Sequence, residues 1–206
     1  NHHSLRDPRV RIFNADAQKF LEQKDWRYDV VIIDLPDPND PGLGKLYTRS
    51  FYRLVAKHLT DRGVMVTQAT SPFFATEAFW CIVNTMASAT LSSAGGTLHV
   101  LPYHASVPSF GEWGFVLGAR HPLAASRIQL NVQLQFLSRE LLPTLFVFPK
   151  DISYRPTPVH RLDNQVLVLR QQRGDPLLEF GNLAETGRID DDLVARFAHV
   201  EDVLEQ

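Results

Sequence analysis

The stretch YDVVIIDLPDPNDPG, residues 28–42, decides the fold class, because it joins a strand pattern to an acidic, proline-rich turn. Its first half is a nearly continuous run of β-branched residues, which is typical of a parallel strand buried on both faces. The run ends at Asp34, and two further carboxylates, Asp37 and Asp40, alternate with three prolines. Because proline fixes φ and removes an N–H donor, this pattern predicts a stiff loop that holds its acidic groups in place.

Helical and strand patterns alternate on both sides of this stretch. The predicted strands are 9–13, 28–34, 63–69, 98–104 and 113–120, and the predicted helices are 17–23, 50–59 and 73–89. Strands that alternate with helices favour a parallel α/β sheet. The last two strands are joined by a short loop without a helix, so we expect them to pair antiparallel at an edge of the sheet.

The pattern weakens beyond Pro122. Residues 134–149 indicate a short helix followed by an apolar segment, and the VLVLR run within 159–172 indicates a strand. An amphipathic helix is predicted within 191–204. The sequence therefore divides into a patterned part, 1–122, and a C-terminal extension, 123–206.

Composition excludes several classes of protein. A formal net charge of −2 over 206 residues gives no reason to expect binding to nucleic acid or to an anionic membrane surface. The single cysteine, Cys81, excludes an intramolecular disulfide framework and a cysteine-based zinc site. The histidines show no close ligand spacing, so we predict no metal site. No apolar run approaches the roughly 20 residues of a transmembrane helix.

The acidic loop is the candidate site. In open parallel sheets, ligands bind beyond the carboxyl ends of the strands, and Asp34 occupies such an end. Several carboxylates there suit a cationic ligand, since one can hold an ammonium group while another takes its proton. The structural alternative is that Asp34 caps the following turn and that Asp37 and Asp40 are solvated loop residues.

Three stretches, in order and at consistent spacing, resemble the core of the polyamine aminopropyltransferases, the spermidine synthase family. They are DPRVRIFNADAQKFL (7–21), YDVVIIDLPDPNDPG (28–42) and LYTRSFYRLVAKHLTDRGVMVTQ (46–68). The match extends from residue 5 to about residue 120. Further stretches resemble the bacterial subgroup whose full-length chains carry an N-terminal membrane domain: LPDPND (35–40), QATSPFFATEAFWCIV (68–83), LPYHASVPSFGEWGFVL (101–117) and HRLDNQVLV (160–168).

The resemblance implies a Rossmann-like S-adenosylmethionine transferase sheet, mostly parallel, with an antiparallel edge strand. The family's glycine-rich turn lies upstream of the DPRV segment, and no G-x-G-x-x-G occurs in this chain. We therefore expect residues 1–122 to be a partial catalytic domain that lacks its N-terminal strands, as a C-terminal part of a synthase domain would. In the family sheet those strands lie between 9–13 and 28–34. We expect 9–13 to be detached and 28–34 to keep an open edge, unless another segment fills the gap.

The resemblance also assigns roles to individual residues. Asp34 matches the general base, and Asp37 matches the acidic residue that holds the amine. The residues that match the nucleoside side are Asp16, Ala17, Pro41 and Gln68. Where the family has a substrate-contacting tyrosine this chain has Val107, and Tyr103 is the candidate substitute. Trp113 fits a pocket wall and a core position equally well.

The implied reaction is transfer of an aminopropyl group from decarboxylated S-adenosylmethionine to putrescine or a related amine. The resemblance implies that the protein uses no prosthetic group and that it forms a homo-oligomer. It also implies a cytoplasmic location, which is at the inner membrane in chains that carry the membrane domain. Two alternatives stay open: an S-adenosylmethionine-dependent methyltransferase, which shares the sheet, and a non-catalytic truncated relative. We expect the chain alone to be inactive.

Overall fold

The computed structural model describes residues 4–91, 96–108 and 111–173. Its strands are β1 (Tyr28–Ile33), β2 (Leu59–Gln68), β3 (His99–Val107) and β4 (Gly111–Ala119). Its α-helices are α1 (Ala17–Gln23), α2 (Pro41–Gly44), α3 (Arg49–Lys57), α4 (Thr76–Ala87), α5 (Leu141–Thr144) and α6 (Val166–Arg173). Short 3₁₀ turns occur at Ser4–Arg6, Lys45–Tyr47, Ala125–Arg127 and Lys150–Ile152.

The four strands form one mixed sheet in the order β1-β2-β4-β3. The predicted α/β class, with a final antiparallel hairpin, is confirmed, since β1 pairs parallel to β2 and β3 pairs antiparallel to β4. The prediction of a mostly parallel sheet with an antiparallel edge strand is wrong. The antiparallel strand, β4, lies inside the sheet and pairs with both β2 and β3. The reason is that α4 carries the chain past the position beside β2, and β4, which follows β3 after a short connection, returns into that position.

Residues 9–13 form no strand, so that prediction is wrong. The expected consequence of the missing neighbours is confirmed, because the segment is detached from the sheet and β1 keeps an open edge. Val30 and Ile32 are 59% and 73% exposed. The apolar run of β1 is therefore buried on one face and not on both.

The hydrophobic core lies on one face of the sheet, beneath α3 and α4. Met65 and Val116 point to this face and are fully buried, as are Phe79 and Met86 on α4. Burial of such side chains stabilises the fold by about 1.5–3 kcal/mol each. The opposite face is open, and Ile32 is paired on it with Val66.

The chain returns to α4 after residue 122. The indole Nε1 of Trp80 donates to the carbonyl of Ile152 at 3.0 Å, and the backbone N–H of His160 donates to Thr85 Oγ1 at 2.8 Å. The short helix predicted within 134–149 is present as α5. The division of the chain at residue 122 stays a prediction.

The VLVLR run is helical, which corrects the predicted strand. It forms α6, where Leu167 and Val168 are buried and Leu169 is 53% exposed. A short apolar run fits either a strand or a buried helix, and packing against α4 decides in favour of the helix. The helix predicted within 191–204 lies outside the described residues. Across the described ranges, we find no helix with the length and apolar character needed to cross a membrane.

Candidate functional site

The topology brings four strand ends to one side of the sheet. Strand β4 runs opposite to β2 and β3, so its start lies beside their carboxyl ends. Asp34 follows β1, Gln68 ends β2, and Trp113 lies near the start of β4. Two clefts meet at this end, as expected for an open sheet whose ligands bind beyond the strand ends.

The larger cleft, here the open-face cleft, has a volume of about 690 Å³ and lies over the uncovered face of the sheet. Five predicted site residues line it: Asp34, Asp37, Gln68, Tyr103 and Trp113. Its apolar lining includes Ile32, Val66, Val107 and Phe115. The charged side chains in this lining are carboxylates. An apolar floor with acidic groups suits a cation that has an apolar body.

The smaller cleft, here the edge cleft, has a volume of about 380 Å³ and lies along the free edge of β1. Its lining combines Ala17 and Phe20 of α1, Phe51 of α3 and most residues of β1. Asp34 lines both clefts and therefore stands where they meet.

Asp16 and Pro41 lie outside the lining of both clefts. Asp16 caps α1 by accepting a hydrogen bond from the backbone N–H of Lys19 at 3.0 Å, and its other oxygen lies 3.0 Å from Lys45 Nζ. These two contacts, the backbone one first, lower the pKa of Asp16. Pro41 is exposed at the first position of α2, where its missing N–H leaves no hydrogen bond unmade.

The three carboxylates of the acidic loop have different surroundings. Asp40 is the cap of α2, since its Oδ1 accepts from the backbone N–H groups of Gly42 at 2.7 Å and Leu43 at 3.1 Å. The structural alternative gave the capping role to Asp34 and a solvated position to Asp40, whereas in the structure the exposed Asp40 is the cap. Asp34 is exposed, and Asp37 is half-buried.

Gln68 ties the acidic loop to the wall of the open-face cleft. Its Nε2 donates to the carbonyl of Leu35 at 2.6 Å and to the hydroxyl of Tyr47 at 2.7 Å. Its Oε1 accepts from the backbone N–H of Thr70 and from the indole N–H of Trp113, each at 3.0 Å. The indole can only donate, so the amide orientation is fixed. The structure thus groups Gln68 with the residues predicted for the amine side.

Tyr47 is a structural partner that sequence reasoning did not single out. Its side chain is fully buried, and its hydroxyl donates to the carbonyls of Leu35 and Pro36 at 3.2 and 3.1 Å. Burial, followed by the nearby charge of Asp37, raises the pKa of Tyr47 well above its usual range. The phenol therefore stays protonated and serves as a hydrogen-bond donor that shapes the loop.

Asp37 accepts hydrogen bonds from two separate parts of the chain, the end of β2 and α6. Its Oδ1 accepts from Gln68 Nε2 at 3.2 Å, and its Oδ2 accepts from Gln171 Nε2 at 3.3 Å and Thr70 Oγ1 at 3.4 Å. Sequence reasoning missed both Thr70 and Gln171. Thr70 follows a predicted strand, so its position at a strand end was a usable signal. Gln171 lies 134 residues beyond Asp37, and nothing in the local sequence indicates that contact.

Thr70 has a strained backbone, with a φ of +58°. This region is rare for a β-branched residue and costs on the order of 1–3 kcal/mol. The conformation is held because Thr70 N–H donates to Gln68 and the Thr70 carbonyl accepts from the backbone N–H of Gly114 at 2.7 Å. Strain of this kind persists only where the surroundings enforce it, and it is concentrated at functional sites.

Gly114 is predicted to be essential for the packing of this wall. A Cβ at this position would lie 2.5 Å from two ring carbons of Phe79 and 2.8 Å from the Thr70 carbonyl oxygen. Gly114→Ala is therefore expected to lower the free energy of unfolding of the chain by about 1–3 kcal/mol. Urea denaturation followed by circular dichroism measures this. Gly96→Ala is the control, since a Cβ there meets no atom of the described residues within 4 Å, and equal midpoints for the two variants would contradict the prediction.

The chain is similar to known proteins along most of its length. A family model described as the spermine/spermidine synthase domain matches residues 1–125. A polyamine aminopropyltransferase of Leptospira interrogans is 41% identical over 168 residues, which cover 82% of this chain and 32% of that protein. Polyamine aminopropyltransferase 2 of Ralstonia nicotianae is 42% identical over 174 residues, with 82% and 32% covered. The chain thus spans about 32% of the length of these relatives.

Solved structures share the fold. The spermidine synthase of Thermotoga maritima matches with a TM-score of 0.57 and 19% identity, covering 72% of this chain and 50% of that one. A spermidine synthase solved in complex with the transition-state analogue AdoDATO matches with a TM-score of 0.58 and 21% identity, covering 72% and 51%. The family model spans more than half of the 206 residues, and the chain therefore belongs to the spermine/spermidine synthase domain family.

Proposed function

We propose that this chain is part of a polyamine aminopropyltransferase, which transfers an aminopropyl group from decarboxylated S-adenosylmethionine to putrescine or a related amine. The observation that carries the proposal is the open-face cleft, where two carboxylates, Asp34 and Asp37, border an apolar floor. A diamine has a chain of methylene groups between two ammonium groups, and this lining complements both parts. The names of the relatives support the same reaction.

Asp34 is the proposed general base. The acceptor ammonium must lose a proton before its nitrogen can attack the carbon next to the sulfonium. A C–N bond then forms, the C–S bond breaks, and the sulfur keeps the electron pair as methylthioadenosine leaves. Since Asp34 lines both clefts, a carboxylate there can take the proton at the point where the two substrates meet. Proton removal and positioning are what the protein must supply.

Asp37 is the proposed group that holds the distal ammonium of the amine. Its three donors leave the carboxylate ordered and half-buried beside the apolar floor. Tyr103 and Trp113 form walls of the same cleft, and burial raises the pKa of Tyr103, so the phenol stays neutral. We propose that these walls contact the methylene chain. The fixed amide of Gln68 would set the distance between Asp37 and Trp113.

The nucleoside is proposed to bind at the end of the edge cleft that borders Asp34, beyond the carboxyl end of β1, because the resemblance places the family's N-terminal strands along the rest of that cleft. Ala17 lines this cleft, and Asp16 stands at the start of the same helix, so the assignment of both to the adenine end is consistent with their positions. The role of Pro41 beside methylthioadenosine rests on the resemblance. A homo-oligomer and a membrane domain in the full-length gene product are proposed on the same ground. No prosthetic group enters this proposal.

Product analysis tests the proposal. The full-length gene product is incubated with decarboxylated S-adenosylmethionine and, in turn, putrescine, cadaverine and spermidine. We expect one methylthioadenosine for each elongated amine, measured by mass spectrometry. The 206-residue chain alone is expected to give no transfer, because its edge cleft is open along β1. In a parallel incubation with S-adenosylmethionine, methylated product and S-adenosylhomocysteine would establish a methyltransferase instead. No transfer to any amine from either compound would indicate a non-catalytic relative.

A further inference from the structure

We infer that Gln171, on α6, is a positioning residue that fixes the Asp37 carboxylate, so that the C-terminal extension forms part of the amine site. The inference rests on the proposed role of Asp37 in holding the amine. It adds a residue that the acidic loop, the strand ends and the resemblance do not indicate.

The contacts of Gln171 converge on one oxygen of Asp37. Gln171 Nε2 lies 3.3 Å from Asp37 Oδ2 and 3.0 Å from Thr70 Oγ1, and that hydroxyl lies 3.4 Å from the same Oδ2. Gln171 is only 7% exposed. With Gln68 on the other oxygen, the carboxylate is held from β2 and from α6 together. The bonds from Gln171 and from Thr70 to Asp37 Oδ2 are long, so we expect the loss of either one to have a modest effect on the amine KM.

The contact with Asp37 explains the orientation of the Gln171 amide. Gln171 Oε1 is buried and has no hydrogen-bond partner among the described residues. A buried acceptor without a partner is unusual and costs free energy. Turning the amide over would place this oxygen against the Asp37 carboxylate, and the N–H donor would be lost. The amide orientation in the structure therefore directs the N–H donor at Asp37.

Helix α6 is anchored to the loop that carries Asp37. Val168 Cγ2 lies so close to Gly44 that a Cβ on Gly44 would be 2.8 Å away. His160 Nε2 donates to the Gly44 carbonyl at 3.0 Å, and its Nδ1 accepts from the backbone N–H of Leu167 at 3.3 Å. Burial lowers the pKa of His160, which agrees with this neutral tautomer. The contacts of Val168 and His160 with Gly44, at the end of α2, thus help to fix the position of Gln171 relative to Asp37.

The test is Gln171→Met in the full-length gene product. Methionine keeps the length and the helix propensity of glutamine and removes its donor. We expect the amine KM to rise roughly tenfold, because a hydrogen bond to a charged group is lost. We expect kcat and the KM for decarboxylated S-adenosylmethionine to stay within about twofold. Leu169→Ala, at an exposed position of the same helix, is the control and should leave all three constants unchanged.

A double variant separates positioning from a general structural role. If Gln171 acts through the carboxylate, Gln171→Met should add nothing to the amine KM of an Asp37→Asn protein. An unchanged amine KM in the single variant, equal effects on both substrates, or a full further increase in the Asp37→Asn background would each overturn the inference. A wild-type protein without aminopropyl transfer would refute the proposed function, and this inference with it. An active wild type with an unaffected variant refutes the inference alone.

Discussion

Asp34→Asn in the full-length gene product is expected to lower kcat by about 10²–10⁴, the usual scale of general acid–base catalysis. Asparagine keeps the shape of the side chain and cannot take the proton of the acceptor ammonium. Asp34 is exposed at the end of β1, so the substitution should leave the unfolding midpoint unchanged. The measurement is the rate of methylthioadenosine release with both substrates saturating.

Asp40→Asn is the matched control for this experiment. Asp40 belongs to the same loop, but its side chain caps α2, and asparagine is an equally good cap. Its turnover should therefore stay near the wild-type value. If Asp34→Asn also kept near-wild-type turnover, Asp34 would not be the base, and another group bordering the two clefts would have to take the proton.

Asp37→Asn is expected to raise the amine KM by about 10–100-fold, since a charged hydrogen bond to the distal ammonium becomes a neutral one. The affinity for decarboxylated S-adenosylmethionine should change far less, because Asp37 lines the open-face cleft and not the edge cleft. Steady-state kinetics with each substrate varied in turn measures both effects. A larger loss on the nucleoside side would mean that the two clefts have been assigned to the wrong substrates.

The sheet could be predicted from sequence where local pattern decides the structure. A β-branched run that stops at a carboxylate identified β1 and the end of it that borders the two clefts, and a short connection identified the final hairpin. The position of β4 could not be predicted in this way, because it depends on which strand pairs with β2 over a long sequence separation. Residues 9–13 show a similar limit, since a strand pattern forms no strand without a neighbour to satisfy its backbone hydrogen bonds.

Individual residues of the site could be predicted from sequence where they lie close to the ends of strands. Asp34, Asp37 and Gln68 follow or end β1 and β2, and the structure brings them to one cleft. Thr70 lies shortly after Gln68, close to the carboxyl end of β2, and follows the same rule. Gln171 does not follow this rule, because the packing of α6 against α4 and against Gly44 brings it to Asp37, and a contact over 134 residues has no local signature.

The two edge strands of the sheet, β3 and β1, differ in how readily another strand can pair with them. On β3, Pro102 lacks the N–H that would face outward, and the N–H of His104 already donates to the Leu145 carbonyl at 2.9 Å. On β1, no described strand pairs with the outer margin, and Val30 and Ile32 beside it are exposed. A margin of this kind templates the addition of another strand and promotes aggregation. The isolated chain is therefore expected to lose solubility as its concentration rises, with β1 as the point of self-association.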